Sequence, residues 1–579
     1  NVAPEALRSG TYRILRTMPL LFSPTDPQTL YFATSVLFKT RDGGQHWTAI
    51  SPDLTREQPS VPASFAVYGK ETIPRRGVIY AVSPSPLDGN LLWAGTDDGL
   101  VHVTHDGGAA WQDVTPPNLT PWSKISQVDA GHFDSQTAYI AVNRIRLDDM
   151  RPYIYRTHDG GATWDLVVSG LPDSGPVNVV REDPQRAGLL FAGTETAVYA
   201  SFDDGDHWHS LRLNMPASSV RDLVIHGNDV VAGTHGRSIW ILDDITPLRQ
   251  YDEVAYDGGH FLFTPQTAVR VRWNMFSDTP LPPEEPAGEN PPDGAVFDYF
   301  LNAPASKVSL EVMDADGTTI RRFSSDDEPE YVDSMSYAHP TYWVRPPQTL
   351  SADAGMHRFV WDLRYPPPAG AKRSYSIAAV AGRTPSGPLG PWVRPGTYTI
   401  RLMVDGAEFL REFSVVLDPR VESPPSAIAQ QYAAAMRCYN AYGEVTQARQ
   451  RVSSLRTSLG SLMDTVPGGL RDALKSLEEQ ARSLEGEGLP ENPDIAYSSA
   501  YAADPASETM AGLQQKFLFI MAVVNGADAM PTSQALQAID TLEQTMSAVL
   551  GRWTNLQSAK LHELNGRLLD AGLTPIELN

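Results

Sequence analysis

The chain has 579 residues and a formal net charge of −23, so it is too long for one ordinary domain and too acidic for a nucleic-acid partner, whose phosphates call for clustered Lys and Arg. The same charge disfavours anionic membrane surfaces, and the longest apolar run, Phe517 to Val524, is far too short for membrane insertion. A single cysteine, Cys438, excludes an intrachain disulfide framework, while 41% hydrophobic residues suffice for several cores.

The chain opens at Asn1 with neither an initiator methionine nor a charged-then-apolar leader, the pattern of a processed or truncated product. Within residues 1–250 the pattern Thr/Ser-x-Asp-x-Gly-x-x-Trp occurs four times, with its tryptophans at intervals of 64, 53 and 44 residues. The boxes place Asp42 with Trp47, Asp106 with Trp111, Asp159 with Trp164, and Asp203 with Trp208. Ahead of three boxes, or closing the series, stands an apolar-Ala-Gly-Thr string: Leu92 to Thr96, Leu190 to Thr194 and Val231 to Thr234, with a looser version at Tyr31 to Thr34. Each unit reads as strand, turn, strand, box, strand, which is a propeller blade. In the box, Asp and Thr/Ser bond to neighbouring amides, glycine adopts backbone angles closed to other residues, and tryptophan packs between sheets, so these eight residues are expected to be structural. Four boxed units and a boxless one, Asp229 to Asp243, make about five blades.

After Leu248 the glycine-threonine pattern stops, and residues 251–294, proline-rich and acidic from Asp278 to Asp293, read as linker or surface loop. Residues 295–420 carry alternating strands and turns, including Val308 to Met313, His357 to Leu363 and Pro395 to Leu402, which suit an immunoglobulin-like β-sandwich. Its polar stretches Ser324 to Gln348 and Ala369 to Pro391 read as loops. From residue 421 to 579 the apolar period is helical: a long helix from Pro424, shorter ones near Leu470 to Leu484 and Ala506 to Val524, and a last one from Leu536 to Leu568. A helical bundle is the expected packing, with an exposed helical arm as the alternative. The fold class is therefore mostly β with an α C-terminus: propeller, sandwich, then helical bundle.

The box is the Asp-box, or bacterial neuraminidase repeat, of sialidases, some xyloglucan-cleaving enzymes and the sortilin luminal domain. With Gly95 to Val101, Arg146 to Asp149 followed by Arg151 to Tyr153, and Gly233 to Asp244, the chain resembles the large bacterial VPS10/sortilin-like proteins with Asp-box repeats, often labelled glycosyl hydrolases. That resemblance implies a secreted protein, extracellular or periplasmic, with Asn1 inside a larger propeller assembly whose other blades come from removed sequence or a second polypeptide. The label of hydrolase comes from the repeats and is not a sign of turnover.

The Gly-Thr turns lie on the blade face opposite the boxes, and sialidases of the resembling family do their chemistry on that face. Residues there are Asp97, Asp98 and Glu195 as candidate catalytic carboxylates, and Arg144, Arg146, His235 and Arg237 as candidate binding groups. A glycosidase needs two carboxylates flanking a sugar, and only these three can supply the pair. The competing reading makes them turn acids bonded to their own backbone, and makes Arg237 a partner of acidic turns in neighbouring blades. The three arginines, Tyr/Glu pair and Arg-Ile-Pro string of a sialidase are missing; Tyr12 to Leu15 is a partial echo that reads as strand. No cofactor motif and no metal constellation stands out, since the 13 histidines are scattered and the acidic Asp203 to Asp206 stretch is already a box.

The first expectation is a binding or assembly protein, with a protein partner supplying blades or a larger complex and no complete catalytic set. The alternative is a glycoside hydrolase on polysaccharide using Asp97, Asp98 or Glu195. A third, from the resemblance, is sortilin-like capture of a peptide in the propeller channel.

Overall fold

The computed structural model describes residues 4, 12–57, 77–251, 259–273, 281–282, 284–285, 288–329, 340–375, 382–463, 466–487 and 508–577. The chain divides into two compact units, Asn1–Tyr251 and Asp252–Asn579.

The first unit holds five consecutive antiparallel meanders. Blade one comprises β1 (Leu20–Phe22), β2 (Leu30–Ala33), β3 (Leu37–Thr40) and β4 (Thr48–Ala49), and blade two β5 (Ile79–Pro84), β6 (Leu92–Thr96), β7 (Val101–Thr104) and β8 (Gln112–Asp113). Blade three follows with β9 (Lys124–Ala130), β10 (Ala138–Asn143), β11 (Ile154–Thr157) and β12 (Asp165–Leu166). Blade four has β13 (Val177–Glu182), β14 (Leu190–Thr194), β15 (Val198–Ser201) and β16 (His209–Ser210). The boxless fifth is a three-stranded sheet of β17 (Ser219–His226), β18 (Asp229–His235) and β19 (Ile239–Leu242), followed by the short helix α1 (Thr246–Arg249).

Hydrophobic burial explains why the meanders stack face to face as propeller blades. A strand covered on both faces carries a continuous apolar run, and β6, β10 and β14 are buried at every residue. Four separate cores fill the four gaps between successive blades: Tyr31 with Ile79, Trp93 with Ile125, Ala141 with Leu190, and Phe191 with Val220. The first strands β5, β9, β13 and β17 pack side by side along the series. Where no further blade follows, β19 keeps its apolar side chains in the open, with Ile239 at 68% exposure and Ile241 at 55%.

The second unit begins earlier than expected. Two strands, β20 (Phe261–Leu262) and β21 (Ala268–Arg270), fall inside the stretch 251–294 read as linker, yet they pair with the sandwich. Further along come β22 (Ala295–Leu301), β23 (Val308–Met313), β24 (Thr319–Ser324), β25 (Gly355–Trp361), the ribbon β26 (Ser374–Tyr375) with β27 (Ser386–Gly387), β28 (Gly396–Val404) and β29 (Ala407–Leu417). One sheet is ordered β20-β22-β25 and the other β21-β29-β28-β23-β24. Their shared core holds Phe297, Tyr299, Leu310, Trp361, Ile400 and Phe413. Both stretches expected as loops lie partly outside the described residues; the second carries the small β26–β27 ribbon.

The helices are α2 (Pro425–Leu462), α3 (Gly468–Glu485), α4 (Met510–Asn525), α5 (Ser533–Asn555) and α6 (His562–Asp570), the last two joined by a π-turn at Leu556–Leu561. Thr509 and Thr532 accept from Gly512 N and Ala535 N and so cap α4 and α5. The helices form a bundle rather than an exposed arm, because their apolar stripes meet in one core that includes Val452, Leu474, Phe517, Ile539, Trp553 and Leu568. Cys438 is buried in that core, and burial pushes its thiol up to about 12. Arg270 of β21 donates to Asp528 in the turn before α5, with both side chains almost fully buried, which ties the bundle to the sandwich.

Candidate functional site

The boxes repeat one hydrogen-bond network. The Thr or Ser hydroxyl donates to the box aspartate at 2.9, 2.8, 2.8 and 2.9 Å in Asp42, Asp106, Asp159 and Asp203. The same carboxylate oxygen accepts the amide four residues on, at His46, Ala110, Thr163 and His207. Amides that a tight turn would leave unpaired are thereby satisfied. Each later tryptophan reaches back one blade: Trp111 Nε1 donates to Ile50 O, Trp164 to Val114 O and Trp208 to Val167 O, at 2.8, 2.8 and 3.0 Å. Trp47 packs edge-on against Phe32 of its own blade at 5.9 Å. Gly108 adopts φ +103° and lies so close to Ile50 that a Cβ would stand 2.3 Å from its carbonyl oxygen.

The box of blade four differs in carrying extra acids, and they are consumed by blade three. Tyr139 Oη, Arg156 Nη1 and His158 Nε2 all bond Asp204, and Arg156 also reaches Asp206 at 3.0 Å. Among the described residues no group of three or more His, Cys, Asp or Glu side chains is placed to hold a metal.

On the opposite face the three candidate carboxylates separate into different roles. Asp98 has 0% exposure: Oδ1 takes the Thr96 hydroxyl at 2.6 Å and Oδ2 takes the Arg56 amide at 2.9 Å. Burial pushes its carboxyl up, opposed by those bonds. Asp98 is enclosed and holds the segment after blade one, so the expectation that it faces a sugar is corrected. Asp97 accepts Val78 N at 2.9 Å through Oδ1 and pairs with Arg146 Nη1 at 3.1 Å through Oδ2. Glu195 accepts from Asn178 Nδ2 at 3.1 Å and pairs with Arg221 at 3.1 Å.

Within electrostatic reach of both pairs is a residue the sequence reading did not single out, Lys124 at the start of β9. Its Nζ lies 4.6 Å from the Tyr80 ring centroid. Burial, then the nearby Arg146 and Arg221, push its ammonium down to about 8, while Asp97 and Glu195 pull the other way. The supporting layer is a chain of amides: Asn143, opposite Lys124 in the β9–β10 ladder, donates to Asn178 Oδ1 at 2.8 Å, and Asn178 donates to Glu195 and to Val220 O. Blades two to five thus each contribute to one cluster of three cations and two carboxylates. An amine that titrates at about 8, set among fixed charges, is suited to hydrogen-bonding hydroxyls or moving a proton.

The remaining candidates stand apart. Arg144 stacks 5.1 Å over Tyr153 and pairs with Asp149, which Arg151 also binds and holds well below the usual carboxylate range. That closed knot shapes its own loop. His235 and Arg237 are exposed, and neither forms an ion pair among the described residues, so the expected bond from Arg237 to a neighbouring acidic turn is not found there. Arg13, from the partial sialidase echo, grips Asp53, Thr55 and Gly77 O and is structural.

No protein-family profile matches the chain. It is 28% identical over 272 residues to a probable oligoxyloglucan-reducing end-specific xyloglucanase of Neosartorya fischeri, covering 39% of this chain and 31% of that protein. It is 24% identical over 270 residues to the oligoxyloglucan-reducing end-specific xyloglucanase of Emericella nidulans, again covering 39% and 31%. The chain therefore spans about a third of the length of these curated relatives. Among solved structures it is similar to a GH74 xyloglucanase from Xanthomonas campestris, at 20% identity and a TM-score of 0.31 over 40% of this chain and 37% of that one. Among the described residues no helix is long and apolar enough to cross a membrane. The chain is a mostly β protein of propeller blades and sandwich with a helical C-terminus, distantly similar over part of its length to xyloglucan-cleaving enzymes.

Proposed function

We propose that the blades belong to a glycoside hydrolase acting on an extracellular or periplasmic polysaccharide of the xyloglucan type, with the Lys124 cluster as its sugar-binding centre. Asp97 and Glu195 are the carboxylates of this reading, Lys124 the central hydroxyl donor, and Arg146 and Arg221 the groups that hold the carboxylates in place. The observation that carries it is geometric: Asp97 with Arg146 and Glu195 with Arg221 bring two arginine-held carboxylates from different blades to the same face, on which Lys124 Nζ lies 4.6 Å from the Tyr80 ring. The similarity to two xyloglucanases supports the substrate class. The test is release of reducing ends from xyloglucan oligosaccharides by the intact protein, repeated with Asp97→Asn, Glu195→Gln and Lys124→Met. Turnover lost in Glu195→Gln while the protein stays folded supports the proposal, and turnover unchanged in all three overturns it.

A second reading is a binding platform without turnover. It is favoured by the engagement of both carboxylates with arginines, and by the bare apolar face of β19, which suits a further blade from a partner chain. Saturable sugar binding without reducing-end release supports this reading, and retention of peptide instead of sugar supports sortilin-like capture.

A further inference from the structure

The second unit contains two adjoining cavities whose described walls carry more guanidinium groups than carboxylates. A cavity of about 500 Å³ is lined by Arg321, Arg345, Arg373, Asp362, Tyr365 and Ser386, among others. A smaller one of about 220 Å³ shares Arg345, Asp362 and Asp293 with it and adds Arg272, Arg364 and Trp392. Among the described residues their walls together carry six guanidinium groups against four carboxylates, in a chain whose net charge is −23.

Some of the donors in these walls are engaged internally and others are not. Arg345 pairs with Asp293 at 3.0 Å, Arg364 donates to Gly390 O at 2.9 Å and Arg373 to Pro388 O at 2.8 Å. Among the described residues, Arg321 Nε and Ser386 Oγ, which border the larger cavity, and Arg272 Nε and Trp392 Nε1, beside the smaller one, are buried and have no hydrogen-bond partner. A buried donor left unpaired costs about 1–3 kcal/mol, so Arg321 Nε and Ser386 Oγ, both at the larger cavity, are expected to be met by a molecule that accepts. Three guanidinium groups crowd Trp392, with Arg364 at 3.8 Å from its ring, and burial pushes Arg364 down to about 9. Burial also pushes the Asp362 carboxyl up, against the pull of Arg364, Arg321 and Arg345.

We propose that the larger cavity binds an oxyanion-bearing small molecule, a carboxylate, sulfate or phosphate on a scaffold of about sugar size, held by Arg321, Arg345 and Arg373 with Ser386. Arginine is suited to this because its fork of donors matches an oxyanion in a bidentate manner, which a lysine cannot do. The site is independent of the Lys124 cluster, since every residue in it belongs to the second unit.

The experiment is calorimetric titration of the full chain, at low ionic strength, with sodium sulfate, inorganic phosphate and sodium glucuronate in turn. Saturable binding of at least one probe is expected, weakening with added salt, and at least about tenfold weaker in both Arg321→Gln and Arg345→Gln, as loss of a charge-assisted hydrogen bond implies. Arg437→Gln, which removes a cation on the helical bundle, serves as a control and should bind as the parent does. Binding of glucuronate alone identifies a sugar acid, and binding of all three identifies a general oxyanion site; either supports the proposal. Should Arg345→Gln unfold, Arg373→Gln replaces it. No saturable heat with any probe, or affinity untouched by these substitutions, overturns it.

Discussion

Replacing Lys124 with methionine should make the protein more stable and, under the proposed function, abolish release of reducing ends from xyloglucan oligosaccharides. The substitution keeps the length of the stem and deletes the charge. In the folded chain the ammonium is pushed down to about 8, by burial first and then by Arg146 and Arg221. In an unfolded chain a lysine titrates near ~10.4. Between those values the folded state binds fewer protons than the unfolded state, so the cost of holding the charged form is fully present below the folded value and fades as pH rises toward the unfolded one. At about 1.4 kcal/mol per pH unit, the cost is roughly 3 kcal/mol at pH 7 and about 1 kcal/mol at pH 9.5. The cation–π contact with Tyr80 returns about 0.5–1 kcal/mol of this. Lys124→Met should therefore stabilise the first unit by about 2 kcal/mol at pH 7, or roughly 4–8 °C in Tm for a domain of that size, and by only about 1 kcal/mol at pH 9.5, where the folded amine is neutral and has no cation–π contact to lose. Thermal unfolding followed by calorimetry at the two pH values measures both. A variant less stable than the parent at pH 7, or a gain of equal size at pH 9.5, would refute the reasoning. A residue retained at a cost to stability is one held for function.

Three further substitutions test the scaffold. Gly108→Ala places a Cβ 2.3 Å from Ile50 O at a positive φ, whereas at Gly107 the nearest atom is Asn90 Oδ1 at 3.4 Å; calorimetry should find a loss of about 2–4 kcal/mol for Gly108→Ala and about 1 kcal/mol for Gly107→Ala. Asp98→Asn should lower Tm by several degrees and leave the KM of any glycan reaction unchanged, because Asp98 is enclosed and a carbonyl oxygen replaces only one of its two acceptors. Arg270→Met leaves Asp528 buried with Arg272 as its remaining cation, and urea unfolding of the second unit should show a loss of about 2–4 kcal/mol.

The blades were legible because their signal is local and repeated: hydroxyl, aspartate, glycine and tryptophan sit within eight residues and satisfy one another. The helices were equally plain, since Val445, Val452, Leu455 and Leu459 keep helical spacing over many turns. The strands β20 and β21 were not, because two or three residues amid proline-rich sequence carry no period, and their pairing is fixed by β22 and β29 far along the chain. Asp97 and Asp98 are adjacent and chemically identical in sequence; Val78 and Arg146 meet one, while Thr96 and Arg56 enclose the other. Lys124 follows a serine at the head of a strand with no motif around it. Its significance arises from Tyr80, Arg146, Glu195 and Arg221 arriving from four different blades. The one available signal was positional, a lone lysine opening the strand of a blade whose neighbours bring Asn178 and Arg221 to their own first strands. The arginines of the second-unit cavities are spread over more than a hundred residues, and only the sandwich fold gathers them.

The central claim is that sugar binds at the Lys124 cluster. The most direct measurement is a crystal structure of the Glu195→Gln protein soaked with a xyloglucan oligosaccharide. A sugar unit whose hydroxyls lie within hydrogen-bond reach of Lys124 Nζ and the Asp97 carboxylate is the expected result. An oligosaccharide ordered elsewhere on the molecule, or none ordered at saturating concentration, would contradict the account.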